Sequence, residues 1–220
     1  MDCLAHRGFA GVNAENTVTA VRAACATADG VEVDVRRCGS GELVVVHDAT
    51  VDRVTDANGR VADFTADELA ALSVVGGEDG IPTFADVCAT VPTGVTLHAE
   101  LKETGLAADV ERAVADAGCD CVVSSFEADA LREVDALPRA LLTAEREGAL
   151  ALADELDCVA VHPSVGVATA GFVERAHGRG LAVNGWTVRD PETTATLRSR
   201  GVDGVITDYP ACCPSRAEAE

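Results

Sequence analysis

The 220 residues of the chain are enough for one domain, and a content of 48% hydrophobic and 25% charged residues excludes wholesale disorder. The 37 acidic residues outnumber the 17 basic ones and give a net charge of −20. A surface this acidic repels nucleic acid and anionic lipid. Because Lys102 is the single lysine and the acidic residues are spread along the whole chain, the composition favours a halophilic protein over one with an acidic patch for a partner.

Membrane and zinc-binding classes are also disfavoured. No apolar run reaches the roughly 18 residues of a membrane span, and no leader-like apolar segment follows Met1, so a cytoplasmic protein is expected. The nine cysteines lack the paired C-x-x-C spacing of a zinc site. We therefore expect them to be buried thiols.

Short β-branched runs alternate with alanine-rich stretches of helical period, which is typical of βα units. Strands are predicted at 3–6, 31–36, 43–47, 95–101, 121–126, 139–144, 158–163, 181–188 and 204–208. Helices are predicted at 15–28, 66–72, 83–91, 106–117, 127–136, 147–156, 170–179 and 191–200. Residues that commonly start helices precede several of them, namely Asn13 or Asn16, Thr65, Thr83 and Pro191.

About eight strand and helix pairs in a chain of this length predict a compact (β/α)₈ TIM barrel, formed by residues 1–220 as a single domain. A doubly wound open sheet is the rival fold, but the sequence has neither G-x-G-x-x-G after the first strand nor G-x-x-x-x-G-K-[ST]. A short insertion after the second βα region, at about 48–82, interrupts the alternation. Long insertions of this kind often contribute residues to a functional site.

Carboxylates recur on two of the predicted strands. Residues two apart in a strand point to the same side, so Glu32 and Asp34 of VEVDV project together. The same spacing groups His98, Glu100 and Lys102 in LHAELK. Both faces of a strand in a parallel barrel are buried, so ionised groups there need a partner. One hard divalent cation, Mg²⁺ or Ca²⁺, would suit the three carboxylates because such ions take oxygen ligands.

A second interpretation of these carboxylates needs no metal. Buried salt bridges to Arg36, Arg37 or Lys102 would also neutralise them. For Glu32 and Asp34 alone, the two interpretations carry similar weight.

Two histidines favour a reactive site. His6 and His47 each follow the C-terminal end of a predicted strand, where barrel enzymes keep their active sites. Two imidazoles can act as acid and base on opposite sides of a reacting centre. Arg7 and a metal would stabilise an anion between them, so these residues indicate phosphoryl transfer.

The order of the motifs resembles one known family. HRGFAGVNAENTVTA, VEVDVRR and LVVVHDAT, with the insertion that follows, resemble the opening half of the glycerophosphodiester phosphodiesterase family. GIPTFADV, LHAELK, VVSSF, NGWTVRD and GVDGVITDYP are similar to its remaining landmarks in the same order. E-x-D or H-D alone is a weak signal, whereas the ordered set covers almost the whole chain and is specific.

The resemblance implies roles for the residues already singled out. His6 and His47 match the family's acid and base pair, and Glu32, Asp34 and Glu100 match its ligands for one divalent cation.

It also implies how a substrate is held. Arg7 matches the residue that holds the phosphate, and Lys102 would face the same site. Asn16 and Glu15 match the E-N-T element near the first histidine. Trp186 matches an aromatic residue that lines the pocket for the substrate's alcohol, although a core tryptophan is nearly as compatible with the sequence alone.

Three positions depart from the family pattern. Ala14 replaces the proline before E-N-T, and His98 replaces an asparagine two residues before the matched glutamate. Arg189 stands where an asparagine often follows W-T-V, which leaves the alcohol specificity open.

The activity that the resemblance implies is hydrolysis of a small-molecule glycerophosphodiester to glycerol 3-phosphate and an alcohol, without nucleic acid or stable membrane association. A lysophospholipase D or sphingomyelinase-like activity is an alternative that would need an apolar entrance. A non-catalytic barrel that binds a phosphorylated ligand is another, and the intact set of histidines and carboxylates argues against it. The sequence does not identify the metal or the oligomeric state. It also does not show which histidine is the acid and which the base, or whether a cyclic phosphate intermediate forms.

Overall fold

Parallel strands close into a barrel in the computed structural model, which describes residues 1–214. The strands are β1 (Asp2–His6), β2 (Gly30–Arg37), β3 (Leu43–Val45), β4 (Thr96–Leu101), β5 (Cys121–Ser125), β6 (Arg139–Thr143), β7 (Ala160–Pro163), β8 (Ala182–Val188) and β9 (Gly204–Thr207). All of them except β3 are parallel neighbours in the order β1, β2, β4, β5, β6, β7, β8, β9, and β9 pairs again with β1. The predicted (β/α)₈ barrel is confirmed.

Helices lie between the strands near the predicted positions. They are α1 (Val18–Cys25), α2 (Ala66–Ala70), α3 (Phe84–Cys88), α4 (Ala107–Ala117), α5 (Ala128–Arg132), α6 (Ala149–Glu155), α7 (Ala170–His177) and α8 (Pro191–Ser199). The Thr65 and Thr83 hydroxyls accept backbone N–H groups of α2 and α3, as expected of N-caps. The first helix starts later than predicted, after Thr17. None of the helices within residues 1–214 is long and apolar enough to cross a bilayer.

The alternation along β2 separates a face of buried valines from a face that carries two carboxylates. Val31, Val33 and Val35 are fully buried in the main hydrophobic core. Each contributes about 1.5–3 kcal/mol through burial of its side chain. Because successive side chains point to opposite faces, Glu32 and Asp34 project together to the other face of the strand.

The predicted strand 43–47 is shorter than expected and does not belong to the barrel. It forms β3, which pairs antiparallel with β2 so that Val45 lies opposite Val35. The Val46 N–H then donates to the Asp34 carbonyl oxygen at 2.9 Å. His47 therefore follows the end of a strand, as predicted, but that strand is the antiparallel partner of β2 and not one of the barrel strands.

The insertion lies within the second βα connection, between β3 and α3. It contains a 3₁₀ turn at Val61–Asp63 and the helix α2. A small separate core packs beneath it, formed with β3 by Val44, Val46, Val51, Val54, Val61, Leu69, Val74 and Ile81. This core holds the start of the insertion against the barrel mouth.

The ends of the described chain are joined. Cys3 in β1 forms a disulfide with Cys213, which follows a 3₁₀ turn at Pro210–Cys212. The expectation of thiols throughout was wrong for this pair, because the pairing of β1 with β9 brings together cysteines that are 210 positions apart. The remaining seven cysteines are free, and three of them are only partly buried.

Candidate active site

The register between β2 and β4 assembles the predicted acidic group. Asp34 is the partner of Glu100, and Glu32 is the partner of His98 one pleat below. One carboxylate oxygen from each of Glu32, Asp34 and Glu100 lies within 4.8 Å of the others. All three residues are at least 92% shielded from solvent, with 4%, 0% and 8% exposed.

This donor set fits a divalent cation. Glu32 Oε1 and Asp34 Oδ1 are buried and have no hydrogen-bond partner. Buried carboxylate oxygens are costly to leave unpaired, and three of them around one point suit a hard cation. The salt bridges of the second interpretation are also present in part, because Lys102 Nζ lies 2.5 Å from Glu100 Oε1 and 3.4 Å from Asp34 Oδ1. Arg7 Nε lies 3.0 Å from Asp34 Oδ2 as well, but two positive charges do not neutralise three carboxylates.

The electrostatics of the acidic group follow from burial and from unequal pairing. Burial raises the pKa of Glu32, and the neighbouring Asp34 charge raises it further. Burial also acts to raise the pKa of Asp34, but Arg7 and Lys102 outweigh it and the pKa is lowered. Burial and Asp34 raise the pKa of Glu100 against the effect of Lys102. The raised pKa of Glu32 means that a cation bound there would have to displace a proton.

His6 ends β1 at the rim of the acidic group. Its Nδ1 lies 2.5 Å from Asp208 Oδ1, and its Nε2 lies 3.9 Å from Glu32 Oε2. Burial acts to lower the pKa of His6, but the hydrogen bond with Asp208 and the charge of Glu32 outweigh it and raise the pKa. Since Nδ1 is held by a carboxylate, Nε2 is the ring nitrogen that is left to exchange a proton with another group.

His47 is oriented in the same way by a different carboxylate. Its Nδ1 lies 2.6 Å from Asp48 Oδ1. The other oxygen of Asp48 accepts from Arg53 Nε at 2.5 Å. Arg53 also donates from both terminal nitrogens to Glu15, at 2.8 and 2.9 Å. The insertion therefore supplies an arginine that orients the partner of His47.

Arg7 links this network to the acidic group. Its Nη1 donates to Glu15 Oε1 at 3.0 Å, and its Nε lies 3.0 Å from Asp34 Oδ2. The Arg7 backbone N–H donates to Glu32 Oε2 at 3.1 Å. Asn16 holds Asp34 from the other side, donating to Oδ2 at 2.8 Å and accepting the Asp34 N–H at 3.3 Å. Its φ of 61° is a left-handed conformation that asparagine tolerates better than most residues.

A cavity of about 250 Å³ is lined by both histidines, by two of the three carboxylates, and by Arg7 and Lys102. Trp186 lies in its wall, donates from Nε1 to the His162 carbonyl oxygen at 2.6 Å, and meets the ring of Phe126 edge to face at 5.4 Å. The tryptophan is thus both packed and exposed to the cavity, so the two expectations for it are compatible. The lining comprises His6, Arg7, Glu32, His47, Glu100, Lys102, Ser124, Phe126, Leu142, His162, Trp186, Thr187, Arg189 and Ile206.

The family model described as the glycerophosphoryl diester phosphodiesterase family matches residues 6–212, nearly the whole chain. The chain belongs to this family. A glycerophosphodiester phosphodiesterase of Caldanaerobacter subterraneus is 30% identical over 94% of this chain and 93% of its own length. The Bacillus subtilis protein YhdW is 32% identical over 96% of this chain and 95% of its own length.

Solved structures show the same fold. The glycerophosphodiester phosphodiesterase of Thermotoga maritima superimposes with a TM-score of 0.80 at 26% identity, covering 96% of each chain. A phosphodiesterase of Oleispira antarctica, solved with the product sn-glycerol-3-phosphate, gives a TM-score of 0.86 at 24% identity, covering 96% of this chain and 94% of its own. The barrel of this family member is thus that of known relatives.

Sequence reasoning missed several residues of this phosphodiesterase-family site. Asp208 lies in the quoted GVDGVITDYP motif and Asp48 in the H-D pair, but neither was given a role. Nothing in the sequence singled out Arg53 except its place in the insertion, or Phe126 except its place in the VVSSF motif. His98 lies outside the acidic group, where its ring packs 5.7 Å from that of His162 and burial lowers its pKa to about 4.

Proposed function

We propose that the protein hydrolyses small glycerophosphodiesters to glycerol 3-phosphate and an alcohol, with His6 and His47 as the acid and base pair. The observation that carries this proposal is the pair of imidazoles at one cavity, each held at Nδ1 by a carboxylate and each adjoining the acidic group. The family relationship and the glycerol 3-phosphate bound to the Oleispira relative support the substrate class.

The anionic phosphodiester must first be brought beside three carboxylates. Arg7 and Lys102 line the cavity and offer guanidinium and ammonium donors to the phosphate oxygens. Glu32, Asp34 and Glu100 would hold one Mg²⁺ or Ca²⁺. That cation would supply Lewis-acid stabilisation of the charge on the phosphoryl oxygens.

The proton transfers are divided between the two rings. One imidazole takes a proton at Nε2 from the nucleophile, which is water or the neighbouring glycerol hydroxyl, as the new P–O bond forms. The P–O bond to the alcohol breaks, and the second ring, protonated, gives its Nε2 proton to the leaving oxygen. If the glycerol hydroxyl attacks, a cyclic phosphate results and water opens it in a second round with the roles exchanged. Asp208 and Asp48 hold both Nδ1–H groups in place throughout.

The size of the cavity supports a small polar substrate over a lysophospholipid. Its volume of about 250 Å³ is below the roughly 300–1,000 Å³ of pockets that enclose larger ligands. Charged and imidazole groups form about half of its lining. An acyl chain would find only Phe126, Leu142, Trp186 and Ile206 as large apolar contacts.

The direct test is release of glycerol 3-phosphate from glycerophosphodiesters with and without added divalent cation. We expect His6→Ala and Glu32→Ala to abolish turnover while circular dichroism shows a folded chain. His177→Ala is the matched control, because this exposed histidine pairs with Asp203 away from the cavity. Unchanged turnover in both site variants, or cation binding by the wild-type protein without any turnover, would refute the proposal.

A further inference from the structure

Arg189 lines the cavity together with Arg7, Lys102 and the aromatic pair Phe126 and Trp186. It follows β8 directly, and its Nε donates to Asp208 Oδ2 at 2.7 Å. The other oxygen of Asp208 is the one that holds His6. One carboxylate therefore fixes both the reactive ring and the direction of the Arg189 guanidinium.

The rest of that guanidinium is available to a ligand. Among residues 1–214, no hydrogen bond engages its two terminal amino groups. The side chain is 68% exposed, whereas Arg7 and Lys102 are 15% and 12% exposed. A guanidinium presents its free N–H groups as a planar fork that matches a carboxylate or a phosphate.

The basic residues lie at different depths in the cavity, which indicates different roles in binding the substrate. Arg7 and Lys102 lie within 3.4 Å of Asp34, beside the acidic group where the phosphodiester must react. Arg189 lies at the open rim with Trp186 and Thr187, on the side where the aromatic pair faces the cavity. When the phosphate occupies the deep position, one of its two ester groups can extend to the rim.

We propose that Arg189 selects glycerophosphodiesters whose alcohol carries an anionic group, either a carboxylate or a second phosphate. The inference rests on the proposed function and names the substrate class for that site. Quaternary ammonium groups bind in aromatic cages free of competing cations. Here Arg189 places a positive charge in the wall of the cavity that the Phe126 and Trp186 rings also line, so the cavity disfavours a choline-like group.

Two substrate pairs isolate the anionic group. In the first pair, glycerophosphoserine differs from glycerophosphoethanolamine by one carboxylate. In the second pair, glycerophosphoglycerol is compared with the same diester carrying a second phosphate on its terminal hydroxyl. The readout is the ratio of kcat/KM within each pair at fixed ionic strength. We expect the wild-type protein to prefer the anionic member of at least one pair roughly tenfold, which is the value of one charge-assisted contact at a partly exposed site. The pair that responds identifies the carboxylate or the phosphate.

Variants of Arg189 distinguish its proposed role in substrate selection from its contact with Asp208, the residue that holds His6. Arg189→Gln also removes the contact with Asp208, so both members of a pair lose turnover, but the ratio within the responding pair falls to about one. Arg189→Lys keeps the charge and retains part of the preference. Arg132→Gln is the control for the same change in net charge, since Arg132 is an exposed residue of α5 outside the cavity.

Two results would overturn the inference. These are an equal loss for both members of each pair in Arg189→Gln, and a wild-type protein that prefers the anionic member of neither pair. Hydrolysis of none of the four diesters would instead overturn the proposed function, and this inference with it.

Discussion

His6 Nδ1 and Asp208 Oδ1 lie 2.5 Å apart, although 202 positions separate the two residues. The contact exists because β1 and β9 pair in parallel, with Ala5 beside Thr207, so the residue after each partner lies at the same end of the barrel. Closure of the barrel thereby sets the orientation of the first imidazole.

The first prediction concerns this pair. Asp208→Asn removes the charge that holds His6, and we expect kcat to fall about 10- to 100-fold with a smaller change in KM. Asp208 raises the pKa of His6, so the limb of the pH profile that reports His6 should move to lower pH. Steady-state kinetics across pH measure both effects, with a substitution of the exposed α5 residue, Asp129→Asn, as the control. A fall in kcat with an unmoved limb would contradict the assigned role.

The second prediction concerns Arg53. This arginine bridges Asp48, the partner of His47, and Glu15, the partner of Arg7. We expect Arg53→Gln to lower kcat about tenfold, because two positioning carboxylates lose their common donor. The side chain is 48% exposed, so the free energy of unfolding should change by less than about 1 kcal/mol.

Arg60→Gln is the matched control for Arg53, since it lies in the same insertion and outside the cavity. Chemical denaturation and steady-state kinetics on both variants separate the two roles. If Arg53→Gln lost much of its stability but the folded fraction kept a normal kcat, Arg53 would have a structural role and no role in positioning His47.

The third prediction concerns the cation and pH. Burial and Asp34 raise the pKa of Glu32 to about 8, so binding of a cation must displace a proton there at neutral pH. Affinity for Mg²⁺ or Ca²⁺ should therefore increase as pH rises toward 8. A hundredfold excess of cation over Kd adds about 2.7 kcal/mol of stability, a rise in Tm of roughly 5 to 10 °C for this size.

Calorimetric titration in buffers of different ionisation enthalpy measures the proton release. Glu32→Gln should lose both the release and most of the rise in Tm, while Asp129→Asn should keep both. A cation affinity that is flat between acidic and neutral pH would count against a protonated Glu32.

The fourth prediction concerns ionic strength. A chain of net charge −20 repels itself and an anionic substrate at low salt. At 1 M salt the Debye length falls to about 3 Å, so both repulsions are screened. We expect activity and Tm to rise with KCl, and an uncharged osmolyte at equal osmolality to leave activity unchanged. Full activity at low salt with loss at high salt would contradict the prediction.

Local patterns were sufficient for most of the secondary structure. Strand alternation and helical period depend on neighbours along the chain, and capping depends on residues such as Thr65 and Thr83 within one turn. The sequence did not show that strand 43–47 lies outside the barrel, because a strand of an antiparallel hairpin and a barrel strand have the same alternation of side chains. Only the pairing partner distinguishes them.

The same division holds for the site. Glu32 and Asp34 were predictable as a pair because spacing along one strand sets the face, and the ordered motifs indicated the family from residues alone. The contacts of Asp208 with His6 and of Arg53 with Glu15 were not predictable, nor was the disulfide from Cys3. Such contacts depend on strand register and barrel closure, which place residues far apart in the chain within bonding distance.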